Sequence, residues 1–291
     1  MKPFSKLPLA ACAVLTVVLP LCAVPLHAQP GLEATERNLP TATKTAWATG
    51  LKDPQGLARS VDGKIFVAET GAGQVTGFDA QGAKLGTIGT GLEEPCGVTF
   101  AGDRLFVAER GTSRVLRLEL DGTLAPLSAK LNAPNALTAL PGTDFVIAVE
   151  DNRLVVAAGS VTANDNATGD VLYAAPADAR RAVSYSAAVV DRDGVIYIAD
   201  SGSGSVLLLT ARGRLATWAT GLKAPSGLAV ATDGTVYVCE EGAGRIVKLS
   251  PEGKATPVIE GIGKPHALVF LDPKTLLVSD RKSGTLWSVT L

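Results

Sequence analysis

The sequence predicts an all-β fold: a six-bladed β-propeller with four antiparallel strands per blade. Three observations carry that prediction. A short anchor motif recurs six times, at intervals of about 40 residues. Each copy is followed by turn signals at roughly eight- to twelve-residue spacing, as short strands require. And 31 Gly and 17 Pro punctuate a chain of 291 residues that is 46% hydrophobic, so many short elements are joined by many turns. That apolar fraction excludes a disordered chain.

The first segment, residues 1–28, reads as a secretory signal peptide. Lys2 and Lys6 precede an uncharged stretch from Leu7 to Leu26, and Leu26-His27-Ala28 offers a cleavage site. A secreted or periplasmic protein is therefore expected, with no membrane attachment after removal of the signal. Cleavage leaves 25 basic against 28 acidic residues, two cysteines (Cys96 and Cys239) and a single histidine, His266. The near balance of charge gives no case for nucleic-acid binding. Residues 29–41 read as a linker and residues 42–291 as the propeller, expected to be a monomer.

The anchors follow in order. Pro54-Gln55-Gly56-Leu57-Ala58 recurs as Pro95-Cys96-Gly97-Val98-Thr99 and Pro225-Ser226-Gly227-Leu228-Ala229. Looser copies are Pro134-Asn135-Ala136-Leu137, Tyr185-Ser186-Ala187-Ala188 and Pro265-His266-Ala267-Leu268. The steps are 41, 39, 51, 40 and 40 residues, the long one holding the polar insert Gly159 to Asp170. That insert includes Asn166-Ala167-Thr168, a glycosylation pattern. After each anchor come a turn such as Asp62-Gly63, an apolar β-branched run ending in an acid, a Gly-rich turn and a third strand. A weaker fourth strand closes each unit, as in Leu215 to Ala219. The sixth unit stops at Leu291 on its third strand, and Trp47-Ala48-Thr49-Gly50-Leu51-Lys52 repeats the fourth-strand segment Trp218 to Lys223. Residues 43–49 are therefore expected to complete the last blade, which ties the termini together and removes an open edge.

Topology confines the chemistry. In an up-and-down blade, the first strand starts on the face to which the second returns. The residue after each anchor Pro and the acid ending each second strand thus share one face. The first strands line the axis, so Gln55, Cys96, Asn135, Ser186, Ser226 and His266 should ring the tunnel mouth. The six acids (Glu69, Glu109, Glu150, Asp200, Glu240 and Asp280) repeat with the scaffold, and are expected to accept hydrogen bonds from the Gly-rich turns that follow them. A carboxylate ring around a cation is the alternative. The ring residues change while their neighbours repeat, so that ring is the expected ligand site. His266 is the candidate catalytic group, a general base or metal ligand, with a rim-bound histidine as the alternative. One histidine is too few for a multi-histidine zinc site. Cys96 and Cys239 are expected to be buried free thiols. A Ser226–His266–Asp280 triad has no G-x-S-x-G elbow to support it.

The P-x-G-L-A anchor, the D-G turn, the V-Y-V-C-E run and the G-A-G-R-I-V-K-L strand resemble the NHL-repeat and gluconolactonase (senescence-marker-protein) superfamily of six-bladed propellers. The resemblance spans the mature chain, and it specifies fold more than activity. It implies Asn135 as a ligand to a divalent cation, calcium or magnesium, which polarises a lactone carbonyl. The acid that the resemblance expects at the next anchor is Ser186 here. Two functions stand open: a metal-assisted, lactonase-like hydrolase, and a non-catalytic propeller binding a small molecule or protein partner.

Overall fold

The computed structural model describes residues 42–127, 131–157, 170–175 and 183–291. The signal peptide, the linker and nearly all of the polar insert lie outside them. Six four-stranded antiparallel sheets make up the described fold. Blade one runs Pro54–Arg59, Ile65–Glu69, Gln74–Phe78 and Lys84–Thr90. Blades two to five begin at Pro95–Ala101, Ala136–Ala139, Tyr185–Val190 and Pro225–Val230. Blade six has Pro265–Asp272, Thr275–Asp280 and Thr285–Thr290, and strand Thr43–Ala48 completes it. Thr43 pairs with Thr290 and Ala48 with Leu286, as the sequence repeat at the two tryptophans predicts.

Each blade is a strip with two apolar faces, so it buries both only between two other blades. The second strands are continuous apolar runs for that reason: Ile65, Phe66, Val67 and Ala68 are all buried. The core is accordingly six clusters, each straddling a pair of adjacent blades. One joins Phe66 and Val75 to Leu105 and Leu116; another closes the circle by joining Leu277 and Leu286 to Leu57 and Ile65. At about 1.5–3 kcal/mol per fully buried aliphatic or aromatic side chain, these interfaces dominate the stabilisation.

The first strands pack side by side in a closed circle around the axis. Their crowding explains the anchor's third residue. A Cβ on Gly56 would lie 2.6 Å from the Cys96 carbonyl oxygen, and one on Gly227 would lie 2.4 Å from that of His266. Blades three, four and six place Ala136, Ala187 and Ala267 at the same level of the axial channel. On the far face the Asp-Gly turns need a left-handed residue, which Gly63 (φ 87°) and Gly234 (φ 86°) supply.

Candidate functional site

In every blade but the third, the acid ending the second strand pairs directly with the first residue of the anchor strand, as Pro54 with Glu69 and Pro265 with Asp280; Glu150 follows the end of its strand, Val146–Val149. The acids are buried and brace the blade; the following turn donates amides to Asp200 (Ser203 N) and Asp280 (Lys282 and Ser283 N) as expected, and a further set of amide donors lies elsewhere. Each accepts from the loop that enters its own anchor strand: Lys52 N to Glu69, Glu93 N to Glu109, Asn132 N to Glu150, Ser184 N to Asp200, Lys223 N to Glu240, and Gly263 and Lys264 N to Asp280. The reason is the register, which sets each carboxylate opposite the start of the first strand. Side chains after the acid add a second clasp. These are Gln74 to Glu69, Arg114 to Glu109, Arg153 to Glu150, Ser203 to Asp200, Arg245 to Glu240 and Ser283 to Asp280. Burial would push the Glu109 and Asp280 carboxyls up, yet these donors hold both below their ordinary values.

Cys96, Asn135, Ser186, Ser226 and His266 line the axial channel, Gln55 is buried at the matching place on blade one, and the six divide into two kinds. Four stitch neighbouring blades together. Cys96 Sγ donates to Pro134 O at 2.9 Å, Asn135 Nδ2 to Tyr185 O at 3.0 Å, Ser186 Oγ to Pro225 O at 2.7 Å and Ser226 Oγ to Pro265 O at 3.0 Å. Each bond runs from one blade to the anchor carbonyl of the next. Ser186 and Ser226 have therefore spent their hydroxyl hydrogens and face a ligand only as acceptors. Burial pushes the Cys96 thiol up to about 11, and raises Cys239 as well, so neither is a ready nucleophile. Both are free and buried. Ser226 bonds Pro265 rather than His266, and no triad forms.

Gln55 and His266 are the exceptions, and they lie on adjacent blades at the seam where the circle closes. Gln55 is buried and donates to Asp53 Oδ2 at 3.1 Å. Asp53 in turn takes two bonds from Arg281, at 2.7 and 3.2 Å. His266 Nδ1 lies 3.1 Å from Glu241 Oε2. Lys264 and Arg281 stand 3.8 and 4.0 Å from the same carboxylate. The His266 hydrogen bond, opposed by burial and helped by the charges of His266, Arg281 and Lys264, holds the Glu241 carboxyl below its ordinary value. Glu241 is therefore a carboxylate that can only accept, so Nδ1 of His266 carries a proton toward it.

Glu241 belongs to a second ring that the sequence reading passed over: the residue directly after each structural acid, namely Thr70, Arg110, Asp151, Ser201, Glu241 and Arg281. The entry loops pin most of this ring through the backbone, Arg110 N to Glu94 O and Glu241 N to Ala224 O among them. The rule that exposed the first ring, varied residues beside a repeating one, finds this ring equally well when applied one place after the acid. Between the rings lies a pocket of about 270 Å³, lined by Arg110, Asn135, Asp151, Ser186, Ser226, Glu241 and His266 among others. Below it the axial channel narrows to about 80 Å³.

Asn135 sits beside Asp151, its Nδ2 2.8 Å from Asp151 Oδ1. Asp151 is the one carboxylate bonded to Asn135, and the Tyr185 carbonyl oxygen lies on the same amide. Among the described residues, no group of three or more His, Cys, Asp or Glu side chains converges to hold a metal ion.

Comparisons place this architecture among known proteins. A search of curated proteins found no significant match. Solved structures of similar fold include a gluconolactonase from Xanthomonas campestris, 15% identical, with a TM-score of 0.71 over 86% of this chain and 90% of that one. Another is a catalytically inactive histidine-to-alanine variant of virginiamycin B lyase from Staphylococcus aureus with quinupristin, 16% identical, with a TM-score of 0.62 over 82% of this chain and 80% of that one. At such identities the likeness is one of fold. The PQQ_2 family model, described as outer membrane protein assembly factor BamB, matches residues 38–256. Over that span the chain belongs to the PQQ_2 family, as a six-bladed β-propeller.

Proposed function

We propose that this is an exported propeller acting on a small ligand in the pocket over the axial mouth, as a lactone or ester hydrolase with His266 as general base. One observation carries the reading: the protein's sole histidine outside the signal-peptide segment is bonded through Nδ1 to the Glu241 carboxylate in the pocket. In this mechanism Nε2 takes a proton from water as the water oxygen bonds to the ester carbonyl carbon. Glu241 orients the ring and stabilises the imidazolium. The tetrahedral intermediate then expels the alkoxide, the C–O bond breaks, and the imidazolium returns its proton to the leaving oxygen. A lactone yields a hydroxy acid and an ester yields an acid and an alcohol, and atoms and charge balance. The fold's use in a gluconolactonase and in a lyase inactivated by loss of a histidine supports the reading by analogy.

A divalent cation at Asn135 and Asp151 would polarise the carbonyl when bound. Those two residues alone do not complete a calcium or magnesium shell, so no step is routed through it. The second reading, a non-catalytic binding propeller, is favoured by the four ring donors already spent on anchor carbonyls. The PQQ_2 family description, an assembly factor, points the same way.

A panel of lactones and esters, assayed on the wild type and on His266→Ala, separates the two. Turnover that the variant loses supports the hydrolase; no turnover by the wild type leaves the binding propeller. Calorimetric titration with calcium, magnesium, manganese and zinc, on the wild type and Asn135→Ala, tests the cation.

A further inference from the structure

Four ionisable side chains line the pocket: Arg110, Asp151, Glu241 and His266. Two of them answer each other, since Glu241 is bonded to His266, with Lys264 and Arg281 close behind. Arg110 and Asp151 have no such match. The Arg110 Nε is buried and has no hydrogen-bond partner among the described residues. Its guanidinium makes one bond, from Nη2 to the neutral Gln55 Oε1, at a long 3.4 Å. Asp151 is exposed, and its carboxylate accepts from the neutral Asn135 Nδ2 at 2.8 Å. Neither has an oppositely charged group within 4.0 Å among the described residues.

The contrast with Arg281 is informative. That guanidinium is committed to Asp53 by two hydrogen bonds, the forked geometry in which arginine takes a carboxylate. Arg110 presents the same fork with one arm weakly held and the Nε arm empty. A buried donor left unpaired is unfavourable until something pairs it. Both groups are anchored through their backbones, Arg110 N donating to Glu94 O and Asp151 O accepting from Tyr185 N. They stand on neighbouring blades of one pocket, a positive and a negative charge, neither with an ionic partner among the described residues.

We propose that the ligand of this pocket is a zwitterion, its carboxylate docking on Arg110 and its ammonium on Asp151. This rests on the reading that the pocket is the ligand site. It narrows the substrate class to amino-acid or short-peptide derivatives, and for the hydrolase to esters or lactones bearing both free groups.

Calorimetric titration of the full chain with alanyl-alanine, its N-acetyl form and its C-terminal amide tests the proposal, because each cap removes one charge. The uncapped dipeptide should bind, and each capped form should bind about tenfold more weakly. Arg110→Met should abolish the preference for a free carboxylate over the amide while keeping the preference for a free amine. Asp151→Asn should do the reverse. Circular dichroism and thermal melting check that both variants fold. The proposal is overturned if the capped forms bind as well as the dipeptide, if no probe binds at millimolar concentration, or if either folded variant keeps the preference it should lose. The catalytic reading is separable: both preferences without turnover on any ester sink the hydrolase alone, and turnover on esters with no charge preference sinks the zwitterion alone.

Discussion

The tunnel mouth has two arcs built from one motif position. Along blades two to five, the residue after each anchor is a donor to the next blade's carbonyl, and Cys, Asn, Ser and Ser perform that task alike. At the seam between blades six and one, His266 and Gln55 turn away from that pattern and bond to carboxylates. The difference shows that variety at a repeated position has two causes. Where several side chains satisfy one geometric demand, the residue type drifts without consequence for a ligand. Where the bonding pattern itself changes, the position has been released from the scaffold. In the released arc His266 is bonded to a carboxylate that the second ring supplies, Glu241.

The sharpest way to break this contrast is at the seam. His266→Ala should lower turnover by about a hundredfold or more, with the melting temperature nearly unchanged, as steady-state kinetics and calorimetry would show. Equal loss of activity from Ser186→Ala would erase the distinction between the arcs. A structural acid should behave oppositely. Glu109→Ala removes the acceptor of Glu93 N, Thr112 and Arg114 inside the fold, and should cost about 3 kcal/mol in chemical denaturation. Glu241→Gln should cost far less stability and more activity.

In the stitched arc, Ser226→Ala should cost about 1 kcal/mol, since the Pro265 carbonyl loses its donor. Cys96→Ser should be tolerated better than Cys96→Val, because serine can still donate to Pro134 O. The acids also set an acid limit. Glu109 and Asp280 have folded pKa values below their ordinary ones, so the stability they contribute is present above those ordinary values. It is lost as pH falls through the folded values. Asp280→Asn should therefore flatten the acid limb of the stability–pH curve. The smallest effect concerns backbone strain. Ala133 and Ala224 precede their anchor prolines at φ 46°, a left-handed conformation that costs an L-residue roughly 1 kcal/mol. Ala224→Gly should raise the denaturation midpoint slightly, by less than about 1 kcal/mol.

Much of the fold was legible because a propeller repeats its demands. P-x-G reports the crowded axis, where Gly56 has no room for a Cβ. Trp47 and Trp218 in matching segments report the closing strand. The acids were read as braces, and Asp200 and Asp280 do accept from the turn amides that follow them, but the entry-loop amides that bond all six were missed, since the sequence carries no direct record of which loop lies opposite a strand end. The same motifs explain why the resemblance to NHL and gluconolactonase propellers holds as fold while the matched family is PQQ_2. P-x-G, D-G and the acid encode blade geometry, which propellers share whatever they bind.

By itself the sequence determined six blades, their order, their closure and the single histidine at the mouth. Those follow from local periodicity and from residue types that only one backbone arrangement accommodates. Which ring residues are spent and which are free was decided by the tertiary structure alone. A side chain's partner depends on the neighbouring blade, about 40 residues away along the chain. The pairing of Arg281 with Asp53, 228 residues apart, and the lack of any such pairing for Arg110 exist only once the circle has closed.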